Sequence, residues 1–201
     1  MLALLDNGQD LDKCAEDLGC EVGQLLTPLT RYRLRASRFA IDNGRFSAGW
    51  NAESFLSLLE REKDNRDRCL FVVVPDVVGS ARRTLEIFDH WKLLLKGWPL
   101  ALACQDGQEG LPVPWREIDA IFIGGSSSWK CSHHATHLIQ AAQALGKWVH
   151  VGRVNGSERW AHFAKLGVNS VDGTGLSRYT HMRETVREAV RDPVPQGELF
   201  G

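Results

Sequence analysis

From residue 39 onward the chain alternates short apolar runs with longer stretches of helical periodicity. The runs are Phe39–Ile41, Leu70–Val74, Leu100–Cys104, Ala120–Ile123, Trp148–Val151 and Ser170–Val171. They are continuous rather than alternating, as expected of parallel strands covered on both faces. Between them the spacing predicts helices over Ala52–Glu62, Ala81–Lys96, Ser132–Leu145, Glu158–Leu166 and His181–Arg191. Gly97, Gly146 and Gly167 each stand just after a helical stretch and before a strand, where a left-handed C-terminal cap is needed. Such strand–helix alternation predicts a parallel α/β fold.

The first residues are less regular. Leu11–Leu18 reads as a helix and Gln24–Leu29 as a short strand. We expect residues 1–36 to pack on a (β/α) barrel core formed by residues 37–192, with 193–201 as a C-terminal tail. The glycine fingerprints of dinucleotide and P-loop folds, GxGxxG and GxxxxGK[ST], are both absent. Polar residues fall at the end of nearly every run: Asp42, Asp76, Gln105–Asp106, Gly124–Gly125, His150 with Gly152–Arg153, and Asp172. A closed barrel brings all those ends to one mouth, whereas an open sheet gathers ligands at a single switch point. The expectation is a single-domain TIM-like barrel, compact or incomplete at 201 residues, with six strands clearly placed.

Composition excludes several classes. At 43% hydrophobic and 24% charged residues the chain is an ordinary globular one. It holds no apolar run near the roughly 20 residues of a membrane span. The opening MLALLDNGQD does not read as a signal peptide, so a cytoplasmic setting is expected. Five scattered cysteines form neither a CxxC pair nor a disulfide framework, and no metal site is expected. A net charge of −1 provides no global basic footprint. Nucleic-acid binding would then rest on local patches, such as Arg31, Arg33, Arg35 and Arg38, or Arg178 and Arg183, or on an accessory protein or second copy.

Asp42, Asp76 and Asp172 stand in DNG, PDVVG and VDGTG, where neighbouring glycines let a flat ligand approach. Carboxylates grouped around an anomeric carbon are the equipment of retaining glycosyl transfer. The plainer alternative is that each caps the next helix. The IGGSSSWK turn, Ile123–Lys130, offers backbone N–H groups to a phosphate or a base carbonyl. His133 and His137 are spaced as a metal pair but lack a third ligand, and a solvated helix face explains them as well. Trp129 stands where it could stack on a base or simply pack.

Taken in order, these segments resemble the tRNA-guanine transglycosylase superfamily over about residues 37–178, and most closely its phage and bacterial branch that inserts 7-deazaguanines into DNA. The resemblance implies that Asp172 in NSVDGTGLSR is the nucleophile and that Asp42 in IDNGRF handles protons. It implies that Asp76 in VVPDVVG and Gln105 in CQDGQEG read the guanine edge, with the Gly124–Gly125 backbone at the base carbonyl. Val151 and Gly152 of VHVGRVN would wall the base pocket. Arg178, with Arg153 and Lys130, would contact the nucleic acid. The expected substrates are DNA, with RNA the less favoured strand, and a base such as preQ0, without ATP or redox cofactor. The cysteine zinc motif of the tRNA enzymes is missing, and Asn43 and Arg45 replace smaller residues. The missing zinc motif points away from tRNA, and Asn43 and Arg45 imply a different base pocket. A phosphate-binding barrel acting on a small metabolite and a non-catalytic nucleobase-binding relative are the alternatives.

Overall fold

A computed structural model describes residues 1–6, 8, 10–46 and 50–191. Eight parallel strands close into a barrel in sequence order: β1 Leu2–Leu5, β2 Val22–Leu26, β3 Phe39–Ile41, β4 Cys69–Val73, β5 Leu100–Cys104, β6 Ala120–Ile123, β7 Trp148–Val151 and β8 Ser170–Asp172. The helices are α1 Leu11–Leu18, α2 Ala52–Arg61, α3 Ala81–Leu94, α4 Ser127–Lys130, α5 His133–Ala144, α6 Ser157–Lys165, α7 Thr174–Arg178 and α8 Thr180–Arg191. The six strands read from the sequence are all present.

The N-terminal segment requires a correction. Residues 1–36 do not pack against the barrel; they supply two of its staves. β1 pairs with β2 on one side and with β8 on the other, Leu4 standing opposite Asp172. The reason is visible in LALL, whose four residues are all buried. A four-residue apolar run at a terminus has no preceding helix to mark it as part of the alternation. The barrel is therefore complete at this length. It saves residues by joining β2 to β3 through residues 27–38 without a helix, and β5 to β6 through only a 3₁₀ turn at Gln108–Gly110. The expected tail 193–201 lies outside the described residues.

Side chains from alternate positions fill the cylinder. Leu2, Leu4, Leu25, Ala40, Phe71, Val73, Ala101, Ala103 and Ala120 form its interior cluster, with Phe122 and Trp148 packed against it. Phe71 shares this interior cluster with Ala40, Ala101, Ala103 and Ala120, so small residues accompany one large ring. A second, larger cluster lies between strands and helices, including Phe39, Ile41, Phe55, Leu102, Ile121, Ile139, Phe163 and Val171. The helices start on side-chain caps: Asp10, Asn51, Ser80 and Ser132 each accept a hydrogen bond from a first-turn N–H. No described helix is long and apolar enough to cross a membrane.

The first and last helices are joined by a buried ion pair. Arg183 on α8 donates to Asp17 on α1 at 3.1 Å, to the Leu176 carbonyl at 2.9 Å and to Thr180 Oγ1 at 3.0 Å. Both charged side chains are 3% exposed. Arg183 is thus spent on closure and unavailable to a nucleic acid. Removing one partner strands the other charge out of water. Asp17→Ala should lower unfolding free energy by about 3 kcal/mol, measured by urea denaturation.

Candidate functional site at the C-terminal mouth

The C-terminal strand ends surround a cavity of about 490 Å³. Asp42, Asp76, Gln105, Gly124, Gly125, Arg153 and Asp172 all line it, with Phe46, Val73, Ala103 and Phe122 as apolar walls. The three aspartates singled out from sequence, separated by up to 130 positions, therefore face one hollow. None of them caps a helix: α2 and α3 are capped by Asn51 and Ser80, and α7 follows Gly173 without a side-chain cap.

Asp172, at the end of β8, is gripped through one oxygen. Its Oδ1 lies 3.0 Å from Nε2 of His150 and accepts the Arg153 backbone N–H at 3.2 Å. His150 is fully buried, its ring between Phe71 and Phe122 at centroid distances of 5.1 and 4.9 Å. Its Nδ1 is 2.9 Å from Ser170 Oγ, which also accepts the Trp148 indole N–H at 2.8 Å. From sequence alone His150 stands at a strand end without an assigned role. The clue was an imidazole inside the apolar run WVHV, in step with Ser170 on the neighbouring strand.

Asp42 follows β3 and turns back on itself, Oδ1 accepting the Gly44 N–H at 2.9 Å. Burial, with the nearby carboxylates of Asp172, Asp76 and Asp6, pushes its carboxyl up from 3.8 to about 7 despite that hydrogen bond. Asp76 also rises through burial, opposed by the Asn43 amide and the charge of Arg45. Asn43 Nδ2 donates to Asp76 Oδ1 at 3.0 Å and to the Val74 carbonyl at 3.1 Å, fixing that carboxylate's orientation.

Several expected contacts are assigned differently. Gln105 lines the cavity, but its amide holds the β4–α3 loop: Oε1 accepts the Gly79 N–H at 2.7 Å, and Nε2 donates to the Val77 carbonyl at 2.9 Å and Thr84 at 3.1 Å. The Gly124 N–H continues the ladder to the Cys104 carbonyl. Gly125 has φ +74, and a Cβ there would stand 2.4 Å from Asp106 Oδ2. Asp106 accepts both the Ser126 N–H at 2.7 Å and the Ser126 hydroxyl at 2.6 Å. Burial alone would raise its carboxyl, but the Ser126 hydroxyl and N–H hold it below the ordinary value. The turn thus already carries an internal carboxylate where a phosphate would sit.

Val151 does not wall the pocket. It points into the strand–helix core, because inward and outward positions alternate and His150 takes the inward one. Gly152 lies behind the wall, where a Cβ would meet Phe122 at 2.6 Å and Asp172 Oδ1 at 3.4 Å. Lys130 is not at a nucleic-acid surface: it is 3% exposed and donates to the Gly152 carbonyl at 2.6 Å. Burial and the charge of Arg153 lower its ammonium to about 8. Trp129 is likewise buried, its indole N–H on Glu109 at 2.9 Å. Arg153 joins the β6 and β7 turns through the Gly125 carbonyl at 2.9 Å, with its guanidinium 3.9 Å from the Phe46 ring centroid. Arg178 is exposed on α7 beyond the mouth, and His133 and His137 are exposed on α5.

No family model matches the chain, and no curated protein matches it. Solved structures do. A BexX/CysO complex from Amycolatopsis orientalis has a TM-score of 0.55 at 14% identity, over 94% of this chain and 87% of that one. A mandelate oxidase with a bound difluoro hydroxy acid gives 0.54 at 13%, over 95% and 72%. A monomeric dihydrodipicolinate synthase variant gives 0.51 at 13%, over 96% and 74%. At these identities the likeness is one of fold, and the class it supports is the TIM barrel.

The raised Asp42 carboxyl links this site to stability. The folded state holds a proton that the unfolded chain releases near 3.8, so wild-type stability falls as pH rises from about 4 through 7. Asp42→Asn removes the ionisation while retaining the acceptor for Gly44. The variant should match wild type near pH 4 and exceed it at pH 8 by on the order of 4 kcal/mol, measured as denaturation midpoints across that range.

Proposed function

We propose that this barrel exchanges guanine for a 7-deazaguanine such as preQ0 in a nucleic acid, with DNA as the strand, through a covalent glycosyl–Asp172 intermediate. The observation that carries this reading is the convergence of Asp42, Asp76 and Asp172 on one partly apolar cavity of about 490 Å³, within the size range of small-ligand sites. It is the same trio that the motif resemblance selects.

This reading gives each group in the cavity a step. With the target nucleoside turned out of its helix, the free oxygen of Asp172 attacks C1′. The C1′–N9 bond breaks and its electron pair leaves with the base. Asp42, with a carboxyl near 7, carries a proton that it can deliver to that base. The incoming 7-deazaguanine returns the proton to Asp42 and attacks C1′, releasing Asp172. Two displacements retain configuration. Asp76, oriented by Asn43, accepts hydrogen bonds from the base's N–H edge. Gln105 shapes the pocket by fixing Gly79. Arg153 and exposed Arg178 supply cationic contacts to the sugar–phosphate chain.

A second reading is favoured by the named enzymes among the structural neighbours: a barrel enzyme acting on a small metabolite. Four carboxylates and one guanidinium line the cavity, so on this reading the ligand is an uncharged polyol or an amine rather than a phosphate ester, which like charges would repel.

The two are separated by incubating the protein with guanine-containing DNA and preQ0. Denaturing electrophoresis should trap an adduct with wild type and none with Asp172→Ala. Mass spectrometry of the nucleosides should show the modified base. Asp76→Ala should still form the adduct but lose discrimination among purines by about 10²-fold, as expected when a hydrogen-bonded edge goes unread. Adduct formation by Asp172→Ala at the wild-type rate would reject the assignment.

A further inference from the structure

The barrel interior is apolar except along one edge. Trp148 and His150 of β7 and Ser170 and Asp172 of β8 form a continuous hydrogen-bonded column from the barrel centre to the mouth. No step of the glycosyl mechanism uses His150 or Ser170. A fully buried imidazole between two phenylalanine rings is a costly group to keep in a core.

Donor and acceptor accounting gives it a direction. The indole N–H of Trp148 has no acceptor function, so Ser170 Oγ must receive it. The Ser170 hydroxyl proton is then free to point at His150 Nδ1. That leaves the imidazole proton on Nε2, directed at Asp172 Oδ1. Oδ1 also receives the Arg153 N–H. Among the described residues, Oδ2 receives no hydrogen bond. One carboxylate oxygen is anchored from below, which leaves the other as the one Asp172 can present to the cavity it lines.

We propose that His150, set in its Nε2–H tautomer by Ser170 and Trp148, is the positioning residue that selects Oδ2 of Asp172 as the attacking atom. This rests on the nucleophilic reading of Asp172 but not on the identity of the sugar or base. His150 transfers no proton. It holds the carboxylate plane through both displacements, donating to Oδ1 whether Oδ2 is free or esterified to C1′. Without it, the carboxylate can rotate about χ2 and trade its oxygens, and the attack geometry is lost.

Two measurements test this. Long-range ¹H–¹⁵N spectra of the histidine rings, with the His150 resonances assigned by their loss in His150→Phe, should show the Nε2–H tautomer in wild type and a mixed population in Ser170→Ala. A dominant Nδ1–H tautomer in wild type would overturn the proposal. In single-turnover assays with guanine-containing DNA, His150→Phe should slow adduct formation roughly 10²-fold, the order expected of a misplaced nucleophile. The substrate concentration for half-maximal rate should stay within about twofold, because His150 does not touch ligand. Ser170→Ala, a smaller change that keeps the barrel filled, should slow the same step by several-fold, and His150→Gln should recover part of the loss by donating from its amide. Unchanged rates in both His150→Phe and Ser170→Ala would also overturn it. If wild type forms no adduct with DNA, the glycosyl-transfer reading falls, and the tautomer measurement alone decides whether His150 orients Asp172.

Discussion

The pairing of β1 with β8 is the constraint on which the mouth depends. It sets Leu4 opposite Asp172 and makes the sheet a closed cylinder. Parallel strands in a closed cylinder must deliver all their C-terminal ends to one rim, so residues as distant as Asp42 and Asp172 become neighbours without any direct chain connection. The Asp17–Arg183 pair locks the same seam from outside by fixing α8 on α1. Opening this edge would leave β8 unpaired on one side and remove the wall against which Asp172 is set.

Closure also creates the electrostatic character of the site. Asp42, Asp76, Asp106 and Asp172 line one cavity whose other walls include Phe122, Val73 and Ala103. Burial, and after it the charge of the neighbouring carboxylates, raises Asp42 to about 7. Each of the others is held by specific hydrogen bonds. Asp106 takes two donors from Ser126, Asp76 takes the Asn43 amide, and Asp172 takes His150 and the Arg153 N–H. Asp42 has only the Gly44 N–H. The group left least compensated is therefore the one able to hold a proton near neutrality, which is the property proton transfer requires.

How far the sequence revealed this depends on the kind of information. The strand ends were legible because each aspartate or glycine follows an apolar run, and the run length fixes where the mouth begins. The fold class was legible for the same reason. β1 was not, since LALL carries no periodic context, and with it went the place of residues 1–36. Side-chain direction was the second gap. Val151 and Lys130 stand beside the right turns in the chain, yet one points outward and the other is sealed beneath Gly152. Gln105 is at the mouth but its amide is committed to Gly79, Val77 and Thr84. A linear motif records neighbourhood along the chain, whereas these roles depend on alternation across a strand and on which hydrogen bonds the fold has already claimed.

Arg153 shows how the turn after β7 serves the same end. It is the one non-glycine with positive φ among the described residues, at +58°, a conformation costing roughly 1–2 kcal/mol for a residue with a Cβ. That conformation lets one residue act in three directions. Its N–H reaches Asp172, its guanidinium reaches the Gly125 carbonyl, and the same guanidinium lies over Phe46 at the rim. Lys130 secures the preceding peptide from behind through the Gly152 carbonyl. A glycine at 153 would adopt the backbone more easily but would lose both side-chain contacts. Backbone strain retained beside a candidate nucleophile is what a site does when orientation matters more than local stability, and here the strained residue ties the β6 and β7 turns to the β8 carboxylate in a single rigid frame.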